Sequence, residues 1–234
     1  MQEDRIKSVI NGRDPEVLRT LFSFYPRPQG KIVDLTCNTR KMWKGLSTKD
    51  VTFCDINPEV KPDIVCDFTK TPFRDGEVST IIWDPPHLPS AAASDKSLQS
   101  FVEMYGLQNS VKAENIDSIF EPFLIEAKRI LKDEGLIFVK LIDFVHNSRY
   151  QWTLVSFVNA INNVDGLTAT DLIIKCDPSA GTLMSSKWKN AYHSRRSHCW
   201  WIIVRKGKCV PSDKVKTEPL GFEDINGQID FGGE

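Results

Sequence analysis

Short apolar runs recur along this chain, and several of them stop at an acidic residue. KIVDL, VTFCDI, DIVCDF and VSTIIWD are rich in β-branched residues and apolar at successive positions, which predicts strands buried on both faces. A fifth run follows the turn in DEGLIFVKLI, a sixth is TDLIIK and a seventh is CWWIIVRK. Between the strands the period changes to that of a helix. In NGRDPEVLRTLFSFYP, Asp14 is placed to cap a helix and Pro15 to take its first position. Val17, Leu18, Leu21 and Phe22 form that helix's apolar stripe, and Pro26 closes the segment. A second stripe runs through Ile116, Ile119, Phe120, Phe123, Leu124, Ala127, Ile130 and Leu131, with Pro122 expected to kink the helix or mark its true start. YQWTLVSFVNAI predicts a third helix. Strands alternating with helices predict an α/β fold, a mostly parallel sheet with helices on both faces.

Two stretches break the rhythm. Residues 88–115 are polar with scattered aromatics, the composition of a substrate loop. From residue 209 to 234 six acids (Asp213, Glu218, Glu223, Asp224, Asp230, Glu234) face two lysines (Lys214, Lys216), a net of -4, with few large apolar residues. That tail is expected to be disordered. The organisation expected is therefore one domain over residues 1–208, with an N-terminal helical segment at 1–30, the loop at 88–115, a basic hairpin loop at 176–198, and the tail.

Composition narrows the class. With 234 residues, 41% hydrophobic and 26% charged, the chain can bury a sizeable core. A formal net charge of -1 excludes whole-molecule attraction to a polyanion, leaving only a local patch. No run approaches the ~20 apolar residues of a membrane span, and MQEDRIKSVI, acidic and without a long apolar core, is not expected to act as a secretory leader. The 6 cysteines show no C-x-x-C spacing, so no metal site is expected. A reducing, cytoplasmic setting is the expectation, with no membrane partner.

In open α/β sheets, ligands bind beyond the carboxyl ends of the strands. Here Asp34, Asp55 and Asp84 each end a predicted strand, and Asp67 follows another. A lone acid at such a place is ordinarily a helix cap. Several in one sheet would line a crevice with carboxylates, poor for a phosphate and suited to hydroxyls, amines or a sulfonium cation. The turn after the first of these strands, DLTCNTRKMW, holds neither G-x-G-x-x-G nor G-x-x-x-x-G-K, which argues against a phosphate cradle. Asn38 stands where a left-handed residue is wanted, and asparagine is the next best choice after glycine. Asp55 is placed to accept from a ribose diol, while Asp67 and Phe68 would clamp an adenine.

IIWDPPH, residues 81 to 87, gives these acids a purpose. Proline fixes its own backbone and biases the residue before it towards extended geometry, so Asp84, Pro85 and Pro86 form a stiff strand-end loop. The Asp84 carboxylate and the Pro85 carbonyl are two acceptors for a planar amine, and His87 offers a flat face for stacking. A base held this way must be single-stranded or flipped from its helix. The plainer reading, that Asp-Pro-Pro is punctuation, loses weight because the turn follows a buried central strand.

DPPH after an apolar strand resembles the D-P-P-Y/F/W/H tetrapeptide of class I S-adenosylmethionine-dependent amino methyltransferases of nucleic-acid bases. IVDLTCNTRKMW, CDINPEVKPDIVCDFTKTPFRDGEVSTIIWDPPHL and EAKRILKDEGLIFVK together resemble small phage and prophage methyltransferase-like proteins, from about Lys31 to Lys206. The resemblance implies a Rossmann-like seven-stranded sheet with its last strand antiparallel, and S-adenosylmethionine as cofactor. It implies a methionine-side loop of Asp34, Thr36, Cys37 and Asn38, a ribose contact at Asp55 with Ile56 beside it, and an adenine contact at Asp67 and Phe68. Asp84, Pro85, Pro86 and His87 match the catalytic tetrapeptide. The glycine-poor first loop departs from the usual methyltransferase pattern.

KWKNAYHSRRSHCWWIIVRKGK carries Lys187, Lys189, Arg195, Arg196, Arg205, Lys206 and Lys208 without an acid, and aromatics interleave. Lys187, Lys189, Arg195 and Arg196 are expected to contact a phosphate backbone, with Lys140 as a further contact. The function expected is methylation of an exocyclic amine on a nucleic-acid base, adenine N6 in DNA foremost, with cytosine N4 open. RNA as the partner, at adenine N6 or guanine N2, is the alternative within that chemistry. A binding module that keeps the fold without catalysis is the alternative outside it.

Overall fold

The computed structural model describes residues 6–85, 113–146, 149–176, 193 and 197–207. His146 and residues 113–115 are described by their backbone alone. An eight-stranded sheet runs through the molecule. In chain order its strands are β1 (Val9–Asn11), β2 (Lys31–Asp34), β3 (Val51–Asp55), β4 (Ile64–Val65), β5 (Val78–Trp83), β6 (Leu131–Leu141), β9 (Leu167–Cys176) and β10 (His198–Lys206). Across the sheet the order is β1-β9-β10-β6-β5-β2-β3-β4. β10 is antiparallel to both its neighbours and every other pairing is parallel. The seven expected strands are present with the last one antiparallel. The eighth, β1, is a short edge strand that the polar IKSVIN segment did not announce. A separate hairpin pairs β7 (Phe144–His146) with β8 (Arg149–Gln151), where helix had been expected from Tyr150.

Side chains alternate between the two faces, and both faces are covered. Val33, Ile81, Trp83, Ile137, Val139, Ile202 and Val204 pack with α2 (Phe120–Ile130) and α3 (Thr153–Asn162). Ile32, Ile82, Phe138, Trp201 and Ile203 pack on the other side with α1 (Asp14–Phe24) and with Trp43 of a short 3₁₀ turn. Pro15 takes a first-turn position of α1, whose cap is Arg13 rather than the expected Asp14. Pro122 lies in the first turn of α2, so it marks that helix's start; residues 113–119 before it are 3₁₀.

Strand order sets where a ligand can enter. From β2 the chain moves outward to β3 and β4 on one side, and from β5 it moves to β6 on the other. The switch point lies between β2 and β5, and the crevice of such a sheet opens at their carboxyl ends. Trp83 is the last residue of β5 and stacks on Phe123 of α2, centroids 3.7 Å apart and 11° from coplanar, with both side chains fully buried. That contact anchors the strand end from which Asp84 emerges. Truncating Phe123→Ala should cost about 3–5 kcal/mol of stability, read as a lowered midpoint in urea denaturation.

Candidate active site at the sheet switch point

Asp34 ends β2 opposite Ile82 of β5 and Phe53 of β3, so Asp55 and Asp84 each lie two residues further along neighbouring parallel strands. Two residues of strand are about 7 Å, which places Asp34 deep in the crevice and the other two acids higher on either side. The alternation of side chains puts Asp34, Asp55 and Asp84 on the α1 face of the sheet. The loop leaving β2 threads between both neighbours. Leu35 N–H donates to the Ile82 carbonyl (3.0 Å) and Cys37 N–H to the Cys54 carbonyl (3.0 Å). Asp84 N–H donates to Thr36 Oγ1 (2.8 Å), and Asn38 N–H to Asp55 Oδ2 (2.9 Å).

No glycine makes this turn. Asn38 takes the left-handed conformation at φ 43°, as the sequence implied, and Arg40 takes it too at φ 57°. Arg40 is held by Asp63 (3.1 Å), by the Lys61 carbonyl (3.0 Å) and by the Phe53 ring beneath its guanidinium (4.2 Å). These contacts stabilise a backbone shape that glycine would otherwise supply.

Asp34 is buried and accepts from Trp43 Nε1 (2.7 Å) and Thr36 N–H (3.1 Å). Burial pushes its carboxyl up to about 7 against those two donors, and the charges of Asp84 and Asp55 push the same way. Asp55 accepts from Asn38 and, at Oδ1, from Asn57 N–H (2.9 Å). A carboxylate has about four lone-pair sites, so two backbone donors leave acceptor capacity for a diol. Ile56 beside it is 63% exposed, an apolar surface at the crevice rim. Asp67 is exposed and holds Thr69 through Oδ1 (2.8 Å to both its N–H and its hydroxyl).

Two members of the expected cofactor set are turned inward. Cys37 is 4% exposed and belongs to the α1-side core, so its backbone, not its thiol, borders the crevice. Phe68 is half-buried, its ring meeting Trp83 (5.4 Å) and Phe123 (6.1 Å) edge to face. The α2-side core takes up much of the face that was expected to stack on adenine.

Lys140 departs furthest from its expected role. Its Nζ lies 3.0 Å from Asp84 Oδ2 and 2.9 Å from Asp14 Oδ2, and its side chain is 16% exposed. An ammonium committed to two carboxylates is not available to a phosphate backbone. Lys175 closes the chain at 2.9 Å from Asp14 Oδ1. Burial opposes the charge on Lys140, yet the carboxylates of Asp84 and Asp14 hold its proton affinity above the ordinary lysine range. Asp14 and Lys175 were missed as site residues because sequence alone gives no sign that α1 starts beside β6. Lys140 itself stood out in the sequence as a lysine closing the apolar run LIFVK, but its carboxylate partners did not.

Arg205 and Lys206 also leave the expected basic patch. They end β10, which runs antiparallel, and so lie at the opposite edge of the sheet. Arg205 donates to the Glu134 and Pro26 carbonyls (2.9 and 3.1 Å), and Lys206 to the Leu131 carbonyl (2.7 Å). Pro85 is buried behind Asp84. Pro86, His87, Lys187, Lys189, Arg195 and Arg196 lie outside the described residues, as do most of loop 88–115, most of 176–198 and the tail. Among the described residues no helix is long and apolar enough to cross a membrane.

The sequence matches no protein-family profile and no curated protein. Similar folds occur among solved structures. An S-adenosylmethionine-dependent methyltransferase of Methanosarcina mazei is 13% identical, over 77% of this chain and 94% of that one, with a TM-score of 0.45. An rRNA methylase of Streptococcus thermophilus is 13% identical over 85% and 99%, with a TM-score of 0.43. A Burkholderia thailandensis 1,6-didemethyltoxoflavin-N1-methyltransferase, solved with its substrate and S-adenosylhomocysteine, is 10% identical over 83% and 77%, with a TM-score of 0.46. Likeness at this level concerns the outline of the chain, not its chemistry.

Asp34 makes a pH signature of the crevice measurable without any substrate. An acid whose folded proton affinity is raised binds its proton more tightly folded than unfolded. Its stabilisation is complete below the ordinary carboxylate range near pH 4 and is lost as pH rises to about 7. The loss is on the order of 4 kcal/mol, flat above pH 7. Asp34→Asn, neutral throughout, should abolish that part of the decline. Guanidinium denaturation at pH 5 and pH 8 would check it, and equal pH dependence in both proteins would refute it.

Proposed function

We propose that this protein is an S-adenosylmethionine-dependent methyltransferase whose acceptor is an exocyclic amine of a nucleic-acid base, foremost adenine N6 in DNA. The observation that carries the reading is the placement of Asp34 and Asp84 on the two strands flanking the switch point, with Asp55 level with Asp84. S-adenosylmethionine supplies a methyl group on a sulfonium, and a crevice lined by carboxylates favours that cation. The residues present fit it. Asp55 has acceptor capacity for the ribose diol, Ile56 offers apolar surface to the adenine, and Asp67 is exposed just past β4, the neighbour of β3.

Asp84 and the Pro85 carbonyl supply the acceptors for the amine. The lone pair of such a nitrogen is delocalised into its ring, which makes it a weak nucleophile. Acceptors on its hydrogens favour a pyramidal nitrogen and localise the pair. With S-adenosylmethionine bound, the nitrogen would take the methyl as the sulfonium is released as a neutral thioether, and the positive charge gained by nitrogen would be lost as a proton to solvent past the largely buried Asp84. The base reaches this depth only when unpaired or flipped. Lys187, Lys189, Arg195 and Arg196 belong to the segment joining β9 to β10. Both ends of that segment lie at the carboxyl edge, which suits them to the phosphate backbone.

Radiolabelled methyl transfer should be assayed on DNA and RNA in parallel. Asp84→Ala should abolish transfer and leave calorimetric affinity for the cofactor within about twofold; full activity in this variant would remove its role. Asp55→Ala should weaken cofactor binding at least tenfold, the scale of one charged hydrogen bond at about 1.5–3 kcal/mol. Transfer to RNA alone would replace the DNA reading, and cofactor binding without transfer to either polymer would leave a binding module. Charge reversal at Arg195 and Arg196 should weaken nucleic-acid binding and flatten its salt dependence.

A further inference from the structure

The chain of charges behind Asp84 joins four separate elements. Asp84 follows β5, Lys140 lies in β6, Asp14 opens α1 and Lys175 lies in β9. Their contacts run Asp84 Oδ2–Lys140 Nζ (3.0 Å), Lys140 Nζ–Asp14 Oδ2 (2.9 Å) and Asp14 Oδ1–Lys175 Nζ (2.9 Å). The side chains are 14–24% exposed, so water screens them little. A buried ion pair is costly to assemble, and an apolar pair of similar volume often serves stability as well. Four alternating charges ending on the carboxylate that faces the crevice point to a use other than stability.

We propose that Lys140 is a positioning residue for Asp84, and that Asp14 tunes it by sharing its charge. The inference rests on the methyl-transfer reading above. Two demands on Asp84 conflict. It must stay ionised near Asp34, a second carboxyl in the same crevice with which it interacts, and it must remain a strong acceptor for an amine that gains positive charge. An ammonium at 3.0 Å meets the first demand and, undivided, would weaken the second. Splitting Lys140 between Asp84 and Asp14 satisfies both. Lys175 balances Asp14, so the sum of the four is zero. The groups facing this chain are Asp34 of β2, itself beside Asp55 of β3, and the Cys199 thiol of β10, which burial pushes up to about 11 and which therefore stays neutral near pH 7.

The test compares Lys140→Met, Lys140→Arg and Asp14→Asn with the wild-type enzyme in pH–rate profiles on its best oligonucleotide. In Lys140→Met the carboxylate loses the ammonium at 3.0 Å, so the acid limb should move to higher pH by about one unit or more. Its kcat should fall at least tenfold while KM for the cofactor holds, and Lys140→Arg should restore most of both. Asp14→Asn gives the ammonium wholly to Asp84; kcat should fall several-fold and the acid limb should move to lower pH. Because Lys140→Met strands two carboxylates it is open to misfolding, and Asp14→Asn then decides alone. Unchanged profiles in the variants that fold would overturn the positioning role and leave the methyltransferase reading standing. An inactive wild type that nonetheless binds cofactor would overturn both.

Discussion

Burial of the central strands on both faces is the constraint from which the site follows. β5 is buried at every position and β2 at all but its first, which leaves no place for a charge within these strands except where they run out. Ionised groups therefore collect at the ends. At the carboxyl edge they are Asp34, Asp55 and Asp84; at the other edge Arg205 and Lys206 donate to carbonyls. Lys140 obeys the same rule. It is the residue at which β6 reaches the level of Asp84, and it carries its charge only because two carboxylates meet it there.

Much of this was legible in the sequence, and the reason is local. Apolar runs, Pro15 and Pro122 each encode their own element, so the succession of strands and helices could be read from α/β alternation. Asn38 announced a left-handed turn because few side chains tolerate one. Contacts between distant segments left no such mark. Asp14 looked like a helix cap, whereas the cap is Arg13 and the Asp14 carboxylate is held by Lys140 and Lys175. Tyr150 and Gln151 looked helical because they adjoin α3, yet Tyr150 pairs with Val145 in a hairpin, and its hydroxyl donates to buried Asp143 (3.0 Å). Phe68 looked like a stacking surface because sequence could not show Trp83 and Phe123 beside it. The basic stretch looked like one patch because residue spacing does not reveal that β10 carries its far end to the other edge.

The acids of the crevice serve the fold and the site at once. Asp55 organises two loops through backbone donors, and Asp34 fixes the indole of Trp43. This dual use explains how a loop without glycine keeps its shape. Its left-handed residues are stabilised by side chains around them, Asn38 through the carboxylate of Asp55 and Arg40 through Asp63 and Phe53. Rigidity of this kind suits a preformed ligand site, since ordering the loop costs nothing further on binding.

Charge balance then selects what the crevice can hold. Among the described residues, Asp14, Asp34, Asp55 and Asp84 stand against Lys140 and Lys175, four carboxyls to two ammoniums. With Asp34 protonated the group is one charge negative, and with Asp34 ionised it is two. A phosphate would add to that excess, whereas a sulfonium would cancel part of it. Part of the cost of burying Asp34 as an anion arises from Asp84 and Asp55, so a cation between these strands would ease that part. Burial remains the larger cause of the raised Asp34 proton affinity, and the charges of Asp84 and Asp55 add to it.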